Sequence, residues 1–133
     1  RERERGGCKM EDVALIDECA RVAEEFVRDI YYPSLDKSRT QLHKFYREDS
    51  VVIWDGTAFA GLASIAGLIE DLPLSSHTIK CFDAQPMPEN AKLIIVTGTV
   101  SFADQPARDF HHQFVIAHDG NDFLLYQTVR LLS

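Results

Sequence analysis

Residues 92–132, KLIIVTGTVSFADQPARDFHHQFVIAHDGNDFLLYQTVRLL, decide the fold because long β-prone runs alternate there with short breaks. The breaks, at 104–106 and 119–121, are rich in residues that favour turns. A similar run precedes them and ends at the proline-rich stretch 86–90. The predicted strands span residues 77–85, 92–102, 108–118 and 122–132. Consecutive strands with such short connections predict an antiparallel meander.

Helical patterns dominate the chain before the meander. From Asp12 to Ile30, apolar residues recur every three or four positions, which predicts an amphipathic helix that Pro33 stops. Asp36 is expected to cap a second, shorter helix with one buried and one solvent-facing side. The buried side is Leu42, Phe45 and Tyr46, and the solvent-facing side is Arg39, His43 and Lys44.

A short strand and a third helix connect these segments to the meander. Residues 51–54, VVIW, predict a strand that ends at the turn dipeptide Asp55-Gly56. Residues 62–72 predict a helix between Gly61 and Pro73. Helices followed by strands predict an α+β domain, in which three helices pack on one face of a bent, mostly antiparallel sheet.

Length and charge limit the classes of function. The chain has 133 residues, of which 45% are hydrophobic, and this suits one domain with a real core. Residues 1–10, RERERGGCKM, predict a disordered or non-native arm, followed by a single domain over 11–133. A net charge of −7 disfavours direct nucleic-acid binding, and no apolar run approaches the roughly 20 residues of a membrane span. The 3 cysteines lack C-x-x-C spacing and indicate neither disulfides nor a zinc site.

The last three predicted strands carry apolar residues on both faces. One parity predicts the core side: Ile94, Val96, Val100, Phe102, Phe110, His112, Phe114, Ile116, Phe123, Leu125, Val129 and Leu131. The other parity mixes apolar, hydroxyl and charged residues: Leu93, Ile95, Thr97, Asp109, His111, Gln113, Val115, Leu124, Tyr126, Thr128, Arg130 and Leu132. Apolar anchors among polar groups are typical of a protein interface, although β-propensity alone is the alternative explanation.

Catalytic, metal and cofactor sites have little support. The core side offers His112, Gln127 and Tyr46 but no carboxylate general base, so we expect His112 to be a buried histidine held by a backbone group. His111 and His112 are neighbours on one strand and leave opposite faces, which prevents them from sharing a metal. No glycine-rich phosphate loop is present. We therefore predict no catalytic residue, no metal and no cofactor.

A series of short motifs runs from about Ala20 to Leu131. They are AEEFV at 23–27, Tyr31-Tyr32, Trp54-Asp55-Gly56, Leu72-Pro73, Asp83-Ala84-Gln85-Pro86, Gly98, Phe102-Ala103-Asp104, Arg108, Phe110, Phe114 and Arg130. In order and spacing they resemble nuclear transport factor 2-like domains, and more narrowly the nuclear transport factor 2-related export proteins. The resemblance implies a cone-shaped α+β fold, whose exposed sheet face packs against another domain of the same fold.

The resemblance also implies a partner. In the export proteins the partner is the like-folded domain of a messenger RNA export receptor, and the heterodimer engages phenylalanine-glycine repeats of nuclear pores. This implies a non-enzymatic subunit that supports pore passage and shuttles between nucleus and cytoplasm. Arg130 stands where the family has an arginine that meets a partner acid. The predicted partner-binding residues are Asp83, Gln85, Ile95, Thr97, Asp109, His111, Gln113, Val115, Tyr126, Thr128 and Arg130.

Two alternatives stay open within the same fold. One is the homodimeric carrier of the small GTPase Ran in its GDP form. Residues 39–42 and 110–114 of this chain resemble that branch of the family. The acidic loop of that carrier is reduced here to Asp104, although Asp55 remains, so we expect the Ran contact to be lost. The other is a small-molecule enzyme that uses the apolar interior of the cone, as ketosteroid isomerase-like members do.

Overall fold

The computed structural model describes residues 10–132, so the predicted arm lies outside the described residues except for Met10, which begins the first helix. The helices are α1 (Met10–Glu25), α2 (Tyr32–Lys37) and α3 (Leu62–Asp71). A π-helical segment, Phe26–Tyr31, joins α1 to α2, and a 3₁₀ helix, Arg39–Phe45, follows α2. The strands are β1 (Tyr46–Trp54), β2 (Thr57–Ala60), β3 (Ser75–Met87), β4 (Ala91–Phe102), β5 (Arg108–Asp119) and β6 (Asn121–Leu131).

The six strands form one sheet in the order β2-β1-β6-β5-β4-β3. Strands β3 to β6 pair antiparallel in sequence order, which confirms the predicted meander. Strand β1 pairs parallel with β6 and antiparallel with β2. Asp55 and Gly56 form the two-residue turn between β1 and β2, both with positive φ (49° and 96°). The predicted α+β class, with three helices and a mostly antiparallel sheet, is confirmed.

The second helix differs from its prediction. Pro33 does not stop the first helix: the chain stays helical from Met10 to Lys37, and Pro33 lies in the first turn of α2, directly after the π-helical segment. Asp36 does not cap a helix, because it lies within α2. A second, shorter helix is present as the 3₁₀ helix Arg39–Phe45, but Tyr46 belongs to β1, where it pairs with Leu124, so its placement on that helix is wrong. Apolar spacing alone could not separate a short 3₁₀ helix from the start of a strand.

Helix α1 is buried along only part of its predicted stripe. Cys19 and Ala23 are 1% and 0% exposed, whereas Val13 and Ile16 are 42% and 44% exposed. The apolar stripe predicted between Asp12 and Ile30 is therefore exposed at Val13 and Ile16. The first turns of α1 carry apolar side chains at the surface of the described chain.

The core lies between the helices and one face of the sheet. Aromatic side chains from the helical segment meet aromatic side chains of β5, with Phe26 and Tyr31 in edge contacts with Phe114. Gly98 allows β3 to approach β4, because a Cβ at this position would overlap the Thr78 carbonyl oxygen. This approach coincides with a register shift in β3.

A second register shift changes which residues at the start of β6 face the core. Val115 pairs with Tyr126, but Ile116 pairs with Leu124, so Leu125 is an extra residue in β6. As a result Leu124 is in the core, 1% exposed, although its parity predicted the outward side. Leu125, predicted for the core, is half-buried. Strict alternation cannot anticipate such a bulge.

Candidate protein-binding surface

The face of the sheet turned away from the helices collects side chains from all its strands, and we call it the outward face. Strand register aligns them in rows. One row is Gln85, Leu93, Val115, Tyr126, Val51 and Ala60, the next is Asp83, Ile95, Gln113, Thr128, Ile53 and Ala58, and a third is Cys81, Thr97, His111 and Arg130. Asp109 follows beside Thr99. The structure thus brings every predicted partner-binding residue to this one face.

The first two rows make the middle of the outward face apolar. Leu93, Ile95 and Val115 are half-buried on adjacent strands. Ile53 and Tyr126 are more open, 39% and 52% exposed. Contiguous apolar groups at a strand surface can stabilise an interface by roughly 25 cal/mol per Å² removed from water. The middle of the outward face is therefore where a partner would gain most from burial.

The third row makes one end of the outward face charged. Arg130 Nη1 lies 3.4 Å from Asp55 Oδ1, and the same oxygen accepts the backbone N–H of Leu131 at 3.2 Å. Lys80 Nζ lies 3.6 Å from Asp109 Oδ1. The Arg130 side chain is 58% exposed, and a guanidinium has five N–H donors. Asp55 therefore orients Arg130 while leaving donors free for a partner group.

Sequence reasoning missed part of this surface. Val51 and Ile53 on β1, and Ala58 and Ala60 on β2, extend the apolar rows beyond the last three strands. Their alternation with Val52 was visible in the sequence. The parallel pairing of β1 with β6 was not, because parallel partners are distant in sequence and joined by a crossover.

Behind the sheet, side chains form a closed polar network. Gln127 Nε2 donates to the Tyr31 hydroxyl at 2.6 Å and to His112 Nε2 at 2.8 Å, while Gln127 Oε1 accepts from the Tyr46 hydroxyl at 2.5 Å. His112 Nδ1 lies 2.8 Å from the Tyr32 hydroxyl. The expectation that a backbone group holds His112 is wrong, because two side chains do so. Parity predicted that His112 is buried, but it carried no information on partners from distant helices.

Burial keeps this network uncharged. It lowers the pKa of His112 well below its ordinary value and raises the pKa of Tyr31 to about 12. The cavity beside Tyr31 and Gln127 measures about 10 Å³. Small-molecule sites usually measure about 300–1,000 Å³. The cavity beside this network is therefore much smaller than such a site.

A second polar cluster ties α2 to the start of β3. Asp36 accepts hydrogen bonds from His77 Nδ1 at 2.7 Å, the His77 backbone N–H at 2.9 Å and the Ser75 hydroxyl at 2.7 Å. Burial alone would raise the pKa of Asp36, but these hydrogen bonds outweigh it and hold the pKa below its ordinary value. Asp36 is thus a structural carboxylate with its acceptors in use.

Arg39 belongs to the same junction and is not solvated as predicted. Its guanidinium donates to the carbonyl oxygens of Leu35, Leu72 and Pro73. Leu72 and Pro73 follow α3, so Arg39 joins the end of α2 to the end of α3. The prediction failed because the Leu72 and Pro73 carbonyls are distant in sequence from Arg39. They follow the C-terminal end of α3, where the helix dipole favours a cation.

Two further features of the described chain bear on its class. Of the described helices, none combines the length and the apolar character needed to cross a membrane. Within the same residues, no three histidine, cysteine or acidic side chains converge as possible metal ligands.

Sequence comparisons identify relatives that cover most of the chain. The family model of the Nuclear transport factor 2 (NTF2) domain matches residues 22–131. "NTF2-related export protein 1" of Bos taurus is 34% identical over 107 residues, which are 76% of this chain and 76% of that protein. "Nuclear transport factor 2" of Debaryomyces hansenii is 33% identical over 116 residues, 84% of this chain and 93% of that protein.

Solved structures share the fold. Nuclear transport factor 2 from Cryptosporidium parvum superposes with a TM-score of 0.79 at 25% identity, covering 86% of this chain and 94% of that one. A chain of the Candida albicans Mtr2-Mex67 M domain complex superposes with a TM-score of 0.76 at 14% identity, covering 85% and 94%. The second likeness, at this low identity, concerns the fold alone.

Proposed function

The chain belongs to the NTF2 domain family, as the motifs in its sequence predicted, and we propose that it is a non-enzymatic partner subunit of a messenger RNA export receptor. In this proposal it heterodimerises with the receptor's like-folded domain. The pair engages phenylalanine-glycine nucleoporins and shuttles between nucleus and cytoplasm. The support from relatives is that several are named NTF2-related export proteins, at 34% identity.

The outward face carries this proposal. It offers an apolar middle, a polar margin and a charged end on one rigid sheet, which is the composition of a protein interface. A stable heterodimer typically buries about 800 Å² per partner, and the rows across six strands provide a continuous surface for it. Ile95, Val115 and Tyr126 would bury apolar area, while Thr97, Gln113 and Thr128 would complete hydrogen bonds.

Arg130 is the residue that we expect to fix the register of pairing. A partner carboxylate opposite its guanidinium would be desolvated together with it. Removing one member of such a pair costs about 3–5 kcal/mol, because the other charge stays buried. Asp55 holds Arg130 near its working position before the partner arrives, 3.4 Å away. Asp109 would contribute to the register through charge, at the same end of the face.

The alternative functions differ in what they require. A homodimeric Ran-GDP carrier is supported by relatives named nuclear transport factor 2, at 33% and 30% identity. The turn between β4 and β5, residues 103–107, carries a single acidic residue, Asp104. A single acidic residue disfavours binding to the basic surface of Ran. An enzyme of this fold would need an interior site, whereas the cavity beside Gln127 measures about 10 Å³.

Size-exclusion chromatography with light scattering, of the chain alone and with a receptor's NTF2-like domain, tests the proposal. We expect a one-to-one heterodimer. Arg130→Glu should abolish it while the circular dichroism spectrum stays unchanged. Arg21→Glu, which reverses an exposed arginine on α1, is the matched control and should pair normally.

Other outcomes would reject the proposal. A stable homodimer that ignores the receptor domain and retains Ran-GDP would favour the carrier. Undiminished pairing by Arg130→Glu would place the interface on another surface. Turnover of a small molecule that depends on His112 would favour the enzyme.

A further inference from the structure

We propose that the cleft between the helical segment and β3 binds an acidic peptide segment of a second protein, independently of the outward face. The cleft has a volume of about 410 Å³, within the usual range of ligand sites. Its lining comes from the helices (Val27, Arg28, Tyr32, Pro33, Asp36, Lys37) and from β3 (Ser76, His77, Ile79). We call it the α2–β3 cleft.

The lining of the α2–β3 cleft carries more positive than negative charge. Its charged residues are Arg28 and Lys37 against Asp36, whose carboxylate accepts three hydrogen bonds. Arg28 lies 3.8 Å from Glu24 and remains 48% exposed, and Lys37 is exposed. The lining thus differs in sign from the whole chain, whose net charge is −7. Such a site attracts carboxylates.

His77 supplies a polar group at the wall of the cleft. Its side chain is 5% exposed, and Nδ1 lies 2.7 Å from Asp36 Oδ1. Nε2, on the other side of the ring, has no hydrogen-bond partner within residues 10–132. Every buried side-chain nitrogen within residues 10–132 has a hydrogen-bond partner, so the unpartnered Nε2 must be accessible to solvent. His77 lines the α2–β3 cleft. A polar group of a ligand that enters the cleft can therefore reach Nε2.

The remaining walls define the segment further. Pro33 and Ile79 are half-buried and give the cleft apolar surface beside the cations, while Val27 and Tyr32, 0% and 3% exposed, lie beneath it. An acidic side chain next to an apolar one therefore fits better than a free anion. The helices cover the opposite side of the sheet from the outward face, so occupation of the cleft leaves receptor pairing possible.

Nuclear magnetic resonance titration of the ¹⁵N-labelled chain tests this proposal. The probe is the acetylated hexapeptide Asp-Leu-Glu-Asp-Leu-Glu, and Asn-Leu-Gln-Asn-Leu-Gln is its uncharged counterpart. We expect saturable shifts of amides in α2 and residues 76–79 with the acidic peptide alone. Arg28→Glu with Lys37→Glu should weaken binding about tenfold or more, because two ion pairs are lost and each new acid repels the peptide.

The control removes the same charge elsewhere. Arg21 pairs with Glu18 on α1 much as Arg28 pairs with Glu24, and Lys44 is an exposed lysine outside the cleft. The variant Arg21→Glu with Lys44→Glu should bind the acidic peptide normally. Arg28→Gln with Lys37→Gln replaces the first variant if its spectrum shows unfolding.

Several results would overturn the proposal. These are the absence of saturable shifts at millimolar peptide, equal shifts with the uncharged peptide, and equal loss in both double variants. Inorganic phosphate giving the same shifts at the same concentration would reduce the site to one for free anions and reject a peptide partner. Receptor pairing is measured separately, so its failure would leave this test intact.

Discussion

Nε2 of His112 and Nε2 of Gln127 lie 2.8 Å apart in the core. The amide nitrogen can only donate, so this contact assigns an unprotonated Nε2 and a protonated Nδ1 to His112. Nδ1 then donates to the Tyr32 hydroxyl, 2.8 Å away. A second proton, on His112 Nε2, would place two N–H donors opposite each other and would also bury a charge. The contact therefore explains why the network is stable only with a neutral His112.

Acid should destabilise the protein through His112. Burial lowers its folded pKa well below the ordinary value of 6.5, so between the two values the unfolded chain binds more protons. The stabilisation is complete above pH 6.5 and is lost as pH falls toward the folded pKa, by at most about 1.4 kcal/mol per pH unit. Urea unfolding between pH 7.5 and 5 measures this slope.

The matched variants for this prediction are neighbours on β5. His112→Gln should reduce the slope, and Gln113→Asn, which removes no titratable group at an exposed position, should keep that of the unchanged chain. Equal slopes in all three proteins would contradict a neutral, buried His112.

Two glycines should respond in opposite directions to alanine. Gly98→Ala places a Cβ against the Thr78 carbonyl oxygen and should lower the free energy of unfolding by about 2 kcal/mol or more. Gly67 lies inside α3, where an added Cβ meets nothing within 4 Å beyond its chain neighbours and its own helical backbone, so Gly67→Ala should raise the free energy of unfolding by about 0.5–1 kcal/mol. Urea unfolding of both variants measures the difference. A stable Gly98→Ala would show that β3 does not approach β4 this closely.

Arg39 should contribute to stability rather than to binding. Arg39→Ala leaves the carbonyls at the ends of α2 and α3 without their donor, which should lower the free energy of unfolding by about 2 kcal/mol. Lys44→Ala removes an exposed cation from the same 3₁₀ helix and should change it by less than about 0.5 kcal/mol. Similar values for the two variants, by thermal or urea unfolding, would mean that Arg39 is solvated.

Strand β1 should take part in receptor pairing. Ile53 is 39% exposed between Thr128 and Ala58 on the outward face. Ile53→Glu should weaken the proposed heterodimer about 100-fold or more, since an unpaired charge in a dry interface costs several kcal/mol. Leu62→Glu, at a residue 41% exposed on α3, is the control. Isothermal titration calorimetry with the receptor domain compares them, and equal affinities would exclude β1 from the interface.

Local patterns predicted much of this fold. The meander, the Asp55-Gly56 turn and helix α3 each depend on residues close in sequence, and all three are confirmed. Alternation along β4 and β5 likewise predicted which residues would share the outward face. That these residues bind a partner stays a prediction.

The errors share a physical origin in long-range contacts. Arg39 was expected in solvent because its carbonyl partners after α3 are distant in sequence. Tyr46 was assigned to a helix because local spacing gave no sign of its hydrogen bond to Gln127, which lies on the last strand. The bulge at Leu125 put Leu124 in the core and took Leu125 out of it, the opposite of what simple alternation predicted. In each case a contact across the fold overrode the local pattern.

The parallel pairing of β1 with β6 affects the order of events during synthesis. Ribosomes make β1 early, yet its neighbour β6 is the last of the described strands, and Tyr46 and Val51 find their partners only there. Until β6 leaves the exit tunnel, one edge of β1 stays open and the Ser50 hydroxyl lacks the Leu124 carbonyl that it binds in the finished fold. The nascent chain therefore passes through a period in which this edge of β1 has no strand partner, and unpaired strand edges are prone to aggregate.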